Sequence, residues 1–199
     1  MRTWKRTNEY VSRRQGTNFL AAHRFAEQIG RRLNLAVTLN FSHTTCDPTC
    51  TSEAFERLRD NHFSRWLRYR SQKAQKAGRR PFGAPTHAWV IEAKDGYQHV
   101  HWNLHMPTSL EKEFLKRLPK WLEKAAGKIE MPLGVIHSQP ITDFGYSRYC
   151  MKGLEPHHAK ARWVRPEAQG TVVGKRCGTS LNLGPSARKR HRTALRLAA

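Results

Sequence analysis

The segment from Glu92 to His101 reads Glu-Ala-Lys-Asp-Gly-Tyr-Gln-His-Val-His and has the pattern of a β-hairpin. Asp95-Gly96 is a strong signal for a two-residue turn, because both turn positions need a positive φ angle. The register that this turn predicts pairs Lys94 with Tyr97, Ala93 with Gln98, and Glu92 with His99. Since side chains alternate along a strand, His101 shares the face of Glu92 and His99.

Glu92, His99 and His101 therefore have the spacing of metal ligands. Directly opposed residues have Cβ atoms roughly 5 Å apart, and diagonal neighbours roughly 7–8 Å, so three such side chains can converge on one divalent ion. His105 has the same parity as the two other histidines and is a further candidate ligand. The spacing alone also fits a solvated polar strand face without a metal, and both interpretations stay open at this point.

The charge of the chain points to its partner. Lys and Arg total 36 against 15 Asp and Glu, which gives a formal net charge of +21. Such an excess indicates a polyanion, above all nucleic acid, because Lys and Arg displace condensed counterions from phosphates. We expect no membrane span, since no run of 18 apolar residues is present. We also expect a reducing cytoplasm, since the N-terminus lacks a signal-peptide core and the four cysteines form no disulfide framework.

The remaining pattern predicts an α+β fold, with an antiparallel sheet and helices packed on one side. Alternating apolar residues predict strands at 35–41 and 135–141, the second at a sheet edge because it contains Pro140. Helices are expected over 17–32, 52–77, 108–126, 144–153 and 187–197. The predicted division is a basic N-terminal arm and helix (1–33, with the arm over 1–16), a central domain (34–155) and a basic C-terminal extension (156–199).

A second group of chemically active side chains is Tyr146-Ser-Arg-Tyr149-Cys-Met-Lys152. On a helix, residues three apart share a face, so Tyr149 and Lys152 project together and Tyr146 lies one turn earlier. A phenol is a poor nucleophile at its ordinary pKa near 10. A nearby ammonium or metal favours the phenolate, which can attack phosphorus. Simple packing of two tyrosines on a short helix is the structural alternative.

Three motifs, taken in their order along the chain, resemble those of the HUH endonucleases, especially the rolling-circle replication initiators of plasmids and small phages. They are Thr38-Leu39-Asn40-Phe41-Ser42 at the end of a strand, the His-hydrophobe-His element His99-Val100-His101, and the Tyr-x-x-Lys element from Tyr149 to Lys152. The resemblance covers roughly residues 35 to 155, so the central domain is expected to be the nuclease domain.

The resemblance implies a ferredoxin-like, RRM-like sheet of five antiparallel strands, with both histidines on a central strand. It implies that His99 and His101 bind Mg²⁺ or Mn²⁺ and that Glu92 is the acidic third ligand. His105 is the alternative third ligand, as in the three-histidine arrangement of relaxases. Two further roles follow from the resemblance: Tyr149 as the nucleophile and Lys152 as its electrostatic helper. Tyr146 is a second candidate nucleophile, although its spacing departs from that of two-tyrosine members.

The implied reaction is transesterification on single-stranded DNA at an origin or hairpin. The tyrosine attacks the scissile phosphate, stays joined to the 5′ end and frees a 3′-OH, which initiates rolling-circle replication. A single-tyrosine transposase or a mobilisation relaxase has the same kind of site and is the alternative enzyme. No P-loop pattern is present, so unwinding is expected to need a host helicase or a supercoiled substrate.

Other basic residues are candidate DNA contacts through the phosphates. They are Arg148, Lys175, Arg176, Arg188, Lys189 and Arg190. A solvated basic tail is the alternative for the C-terminal ones. Aromatic residues among basic neighbours, such as Trp163, are candidates for stacking on unpaired bases. A non-catalytic, RRM-like nucleic-acid-binding module is the alternative from another class, but the aromatic sheet motif of an RNA-binding module is absent.

Overall fold

The computed structural model describes residues 6–198. Within this range the strands are β1 (Thr7–Asn8), β2 (Leu35–Asn40), β3 (His87–Glu92), β4 (His99–Leu104), β5 (Ile136–Pro140), β6 (Val172–Val173) and β7 (Cys177–Thr179). Five of them form an antiparallel sheet in the order β5-β2-β4-β3-β7, while β1 pairs with β6. The α+β class and the five-stranded antiparallel sheet are confirmed, and β4, with both candidate histidines, is its central strand.

The helices of the described range are α1 (Arg13–Gln28), α2 (Thr51–Arg57), α3 (Ser64–Lys76), α4 (Thr108–Ala126), α5 (Gly145–Tyr149), α6 (Pro156–Ala159) and α7 (Pro185–Ala198). A π-helical stretch, Leu58–Phe63, joins α2 to α3, so the helix predicted over 52–77 is continuous but not uniform. Pro119 lies inside α4 without ending it. Gly127, whose φ of 88° suits glycine best, terminates that helix as predicted. None of these helices is both long and apolar enough to cross a membrane.

The turn of the hairpin forms at the predicted residues. Asp95 and Gly96 both have a positive φ, at 53° and 83°. The Tyr97 N–H donates to the Lys94 carbonyl across them at 2.9 Å. These are the features of a two-residue turn with a left-handed conformation at both positions.

The hairpin ladder is shorter than predicted, although its register is the expected one. Glu92 pairs with His99 as the last ladder pair. The predicted pair Ala93–Gln98 is absent, because the Ala93 N–H donates instead to the Gln169 carbonyl at 2.8 Å. The loop segment that contains Gln169 thus replaces the end of the hairpin without changing which side chains share a face.

Helices lie on both faces of the sheet, and not on one side as predicted. One core cluster packs Val37, Trp89 and Trp102 against α2, α3 and α4. The other packs Ala88 and Val90 from β3 against α1 and the segment after α5. All of β3 is buried. The face of β3 that carries Ala88, Val90 and Glu92 is therefore covered by protein and not exposed to solvent.

The N-terminal region is folded from residue 6 onward, so the prediction of an arm over 1–16 is wrong for residues 6–16. Residues 1–5 lie outside the described range. β1 pairs with β6. α1 begins at Arg13, earlier than predicted, because Ser12 and Gln15 form a capping box. In this motif each side chain accepts a hydrogen bond from the other residue's backbone N–H.

The fifth strand of the sheet, β7, lies in the segment predicted to be a C-terminal extension (156–199). It pairs with β3, with Cys177 opposite Val90. A strand of three residues with a glycine at its centre is too short to show the alternation that identifies strands in a sequence. The boundary predicted at residue 155 therefore does not coincide with the edge of the sheet.

Candidate metal centre and active site

Glu92, His99 and His101 form a compact cluster beside the hairpin loop, where β3 ends and β4 begins. Their ligand atoms all lie within 4.8 Å of one another. Glu92 Oε2 is 2.9 Å from His99 Nε2 and 3.3 Å from His101 Nε2. The alternation of strand side chains, fixed by the turn, is what brings the three together.

The Glu92 carboxyl is ionised although it is only 1% exposed. Burial acts to raise its pKa. Hydrogen bonds from His101 and His99, together with the charges of His101 and Lys152, outweigh burial and hold the pKa well below its usual range. The cluster therefore presents a carboxylate and two imidazoles, which are the donor types of a divalent metal site.

The donors of the cluster fit a cation. Glu92 Oε1 is buried and has no hydrogen-bond partner among the described residues. His101 Nδ1 lies 3.1 Å from Thr38 Oγ1. In the alternative tautomer, whose Nδ1–H donates to Thr38, Nε2 does not donate to Glu92 and has a lone pair available for a cation. A divalent cation at this point would bind both the Glu92 carboxylate and the Nε2 lone pair of His101, since imidazole and carboxylate are both ligands of divalent metals.

Lys152 connects the cluster to Tyr149. Its Nζ lies 3.0 Å from Glu92 Oε2 and donates to Tyr149 Oη at 3.2 Å. Burial acts to lower the pKa of Lys152, but the charge of Glu92 and the hydrogen bonds to Glu92 and Tyr149 raise it above its ordinary value. The ring of Tyr149 also lies against that of His101, with centroids 5.6 Å apart. A permanently charged ammonium is thus held at the Tyr149 hydroxyl.

The environments of the two tyrosines differ. Tyr149 is 50% exposed, and its hydroxyl oxygen accepts a hydrogen bond from the Lys152 ammonium. Tyr146 is half-buried, and burial, with the neighbouring Cys150, raises its pKa. Interactions with Gln139 and Thr38 act to lower the pKa of Tyr146 but are outweighed. Burial therefore disfavours ionisation of Tyr146, whereas the more exposed Tyr149 hydroxyl is the one that contacts an ammonium.

Open clefts lie on two sides of Tyr149, each of about 560 Å³. The first borders the cluster and includes His99, His101 and Tyr146. The second is lined by Arg148, Tyr149, Lys152, Trp163, Val164, Arg165, Pro166 and Glu167. Tyr149 is thus a lining residue of both clefts.

His105 lies outside the cluster. It follows the last residue of β4, and its Nδ1 lies 2.9 Å from the carbonyl of Arg32. His105 lies four positions beyond His101, which amounts to roughly 13 Å along an extended chain. Glu92, and not His105, is the third side chain that the structure brings to His99 and His101.

The predicted DNA contacts have different surroundings. Arg148, Lys189 and Arg190 are exposed. Lys175 is exposed as well, with its Nζ 5.6 Å from the centroid of the Trp89 ring. Arg188 is half-buried, and its guanidinium donates to the side-chain oxygen of Asn18 and to the carbonyl of Leu183. Four of these five side chains are thus free to meet a phosphate, whereas Arg188 already has partners within the protein.

The prediction that Arg176 contacts DNA is wrong, because its side chain is fully buried. Its guanidinium donates to four backbone carbonyls, those of Asn8, Glu9, Gln169 and Gly170. The residue ties the N-terminal segment and the 169–170 loop to the edge of the sheet. A second basic residue directly after Lys175 gave no indication of this structural role.

Two contacts of the site had no signal in the sequence. Thr38 belongs to the upstream motif, but nothing in the sequence indicates that it lies opposite His101 and touches its ring. The ion pair between Glu92 and Lys152 joins residues that are far apart in the chain. Only the packing of α5 beside β4 reveals it.

No family model matches the sequence, and no curated protein matches it. Among solved structures, the catalytic domain of the Rep protein of adeno-associated virus type 5 is similar to this chain. The sequences are 13% identical, the TM-score is 0.40, and the alignment covers 83% of this chain and 98% of that domain. The resemblance of the sequence motifs to those of the HUH endonucleases implies a five-stranded antiparallel sheet and a Glu-His-His cluster. The protein has this sheet and this cluster, with the histidines on the central strand β4 and Glu92 on the neighbouring strand β3.

Proposed function

We propose that the protein is a metal-dependent HUH endonuclease that nicks and rejoins single-stranded DNA through Tyr149. The observation that supports this most directly is the position of Lys152. Its ammonium contacts both the carboxylate of the candidate metal cluster and the hydroxyl of Tyr149. A nucleophile, a group that stabilises its charge and a site for a divalent ion are therefore next to one another.

The chemistry follows from these contacts. A divalent ion held by Glu92, His99 and His101 would polarise the phosphoryl oxygen and orient the phosphate. The Tyr149 oxygen loses its proton, forms a bond to phosphorus, and the bond from phosphorus to the 3′ oxygen breaks. The leaving 3′ oxygen takes up a proton, and the 5′ phosphate stays on the tyrosine. The Lys152 ammonium, in contact with the Tyr149 oxygen, would stabilise negative charge there during the attack.

The reaction exchanges one phosphodiester for another, so joining is its reverse and needs no nucleotide. Initiation of rolling-circle replication is the role that fits best, because the cleaved strand offers a 3′-OH while the other end stays attached to the protein. The strongly basic chain favours a nucleic acid substrate. Strand separation would fall to a helicase of the host. A transposase or relaxase of this fold would use the same cleavage step on other DNA.

The experiment that tests the proposal is detection of the covalent adduct. Single-stranded DNA from a pooled random library, labelled at its 3′ end, is incubated with the protein and Mn²⁺ and resolved on a denaturing gel. The label then stays with the fragment that the tyrosine carries. We expect a slow-migrating protein–DNA band from the wild type and from Tyr146→Phe, the matched control, and none from Tyr149→Phe.

Other outcomes decide against parts of the proposal. Loss of the band only in Tyr146→Phe would transfer the role of nucleophile to that residue. If no substrate gave an adduct although DNA binding was intact, a non-catalytic binding module would be the better account of the fold.

A further inference from the structure

Trp163 is a large aromatic side chain held in solvent. It is 85% exposed, whereas the next residue, Val164, is only 5% exposed. Trp163 also has a φ of 55°, in the left-handed region that non-glycine residues seldom adopt. Exposure of the larger apolar side chain at a strained backbone position is the reverse of what core packing produces.

The segment that carries Trp163 is fixed to the active site by contacts of its neighbours. The Val164 N–H donates to the Ala159 carbonyl at 3.2 Å. The Glu167 N–H donates to the carbonyl of Lys152 at 2.8 Å, and the Glu167 carboxylate forms an ion pair with Lys94. The backbone around Trp163 is therefore ordered without any contribution from the indole ring to the core.

The ring faces a cationic cleft. Trp163 and Arg165 line the same cleft as Tyr149, Arg148 and Lys152. Glu167, the acidic residue of this lining, is already paired with Lys94. An exposed aromatic ring among cations is the combination with which proteins bind unpaired nucleotides, since the ring stacks on a base and the cations contact the phosphates.

We propose that Trp163 forms a stacking site for one unpaired nucleobase next to the phosphate that Tyr149 attacks, with Arg148 and Arg165 at the flanking phosphates. This inference rests on the proposed nuclease function and names a subsite for its substrate. Stacking accepts any base, because every base has a π face. A base inside a duplex has both faces covered, so this subsite selects single-stranded DNA without selecting a sequence.

The test measures equilibrium binding and needs no cleavage. Fluorescence anisotropy of labelled single-stranded DNA is recorded without metal in a Tyr149→Phe background. We expect Trp163→Ala to weaken binding on the order of tenfold and Trp163→Phe to keep most of the affinity. The matched control is Leu181→Ala, which truncates a different apolar side chain that is also highly exposed, at 94%. This variant should bind as the parent does. Unchanged melting temperatures would show that the variants are folded.

A set of oligonucleotides with a single abasic position identifies the stacked base. At one position, removal of the base should weaken binding by the parent but cause no further loss in Trp163→Ala, because the two changes remove the same contact. Equal affinity of Trp163→Ala and its parent, or additive losses at every position, would overturn the stacking site. If the wild type formed no covalent adduct in the cleavage assay but this coupling was present, only the nuclease function would be overturned.

Discussion

The side-chain oxygen of Thr38 lies 3.1 Å from Nδ1 of His101, and the two residues are paired across β2 and β4. The contact leaves the other ring nitrogen of His101 directed at Glu92. A hydrogen bond of this kind to a metal-binding histidine fixes the ring orientation and the tautomer. Thr38 is thus positioned to control how well the cluster binds a metal.

We expect Thr38→Val to lower the affinity for Mn²⁺ by about 10–100-fold, because valine has the same shape and cannot accept the imidazole proton. The measurement is a titration of the melting temperature with Mn²⁺, which rises with occupancy of the folded state. Glu92→Gln should abolish the rise. Thr142→Val, at an exposed position, is the control and should titrate as the wild type. The same Mn²⁺ response in Thr38→Val and wild type would exclude the orienting role.

Acid is expected to destabilise the protein through two buried histidines. Burial lowers the pKa of His23 to about 4 and that of His87 to about 3, from an ordinary value of 6.5. Between these values and 6.5 the unfolded chain binds more protons than the folded one, so this part of the stability is complete above pH 6.5 and is lost as the pH falls.

Each of these histidines should lower the free energy of unfolding by up to about 1.4 kcal/mol per pH unit below its ordinary pKa. Urea unfolding at a series of pH values measures the slope. His87→Phe preserves a ring beside Phe63 and Trp102 and should make the slope shallower. An unchanged slope would mean that His87 takes up its proton in the native state.

Arg176→Met should lower the free energy of unfolding by about 3 kcal/mol, because it leaves buried backbone carbonyls without donors. Denaturant unfolding measures the loss. Lys175→Met removes the adjacent, exposed cation and should change the stability little. If Arg176→Met instead kept its stability and lost DNA affinity, the buried position of its guanidinium would be contradicted.

The exposed cations of α7 offer a test of whether the C-terminal helix contacts DNA. Replacing Lys189 and Arg190 by Gln should reduce the slope of log affinity against log salt concentration by about 1.4, since each contact with a single-strand phosphate contributes about 0.7. Lys116→Gln with Lys120→Gln, on the exposed side of α4, removes the same charge elsewhere. Equal slopes in the two double variants would identify α7 as a solvated basic tail.

The hairpin was predictable because its information is local. Asp95 and Gly96 fix the turn, the turn fixes the register, and the register fixes the face that Glu92, His99 and His101 share. The start of α1 also has a local signal in the sequence, the capping box of Ser12 and Gln15.

Features that depend on distant parts of the chain were not predictable. β7 has three residues and is a strand only because β3 offers it a free edge. Two of the four acceptors of Arg176 belong to the distant residues Asn8 and Glu9, so its burial has no local signature. The ion pair of Lys152 with Glu92 exists only once the helix that carries the tyrosines has docked on the sheet.

The central position of β4 separates the site into two parts with different mobility. β4 is paired on both sides, with Leu39 and Ile91 flanking Val100, so exposing its amides to hydrogen exchange requires the opening of two ladders at once. Such segments exchange only through global unfolding. Tyr149 ends a helix of five residues that lies outside the ladders, and a short helix of this kind can open locally. Tyr149 can therefore move away and return while the histidines of β4 keep their positions.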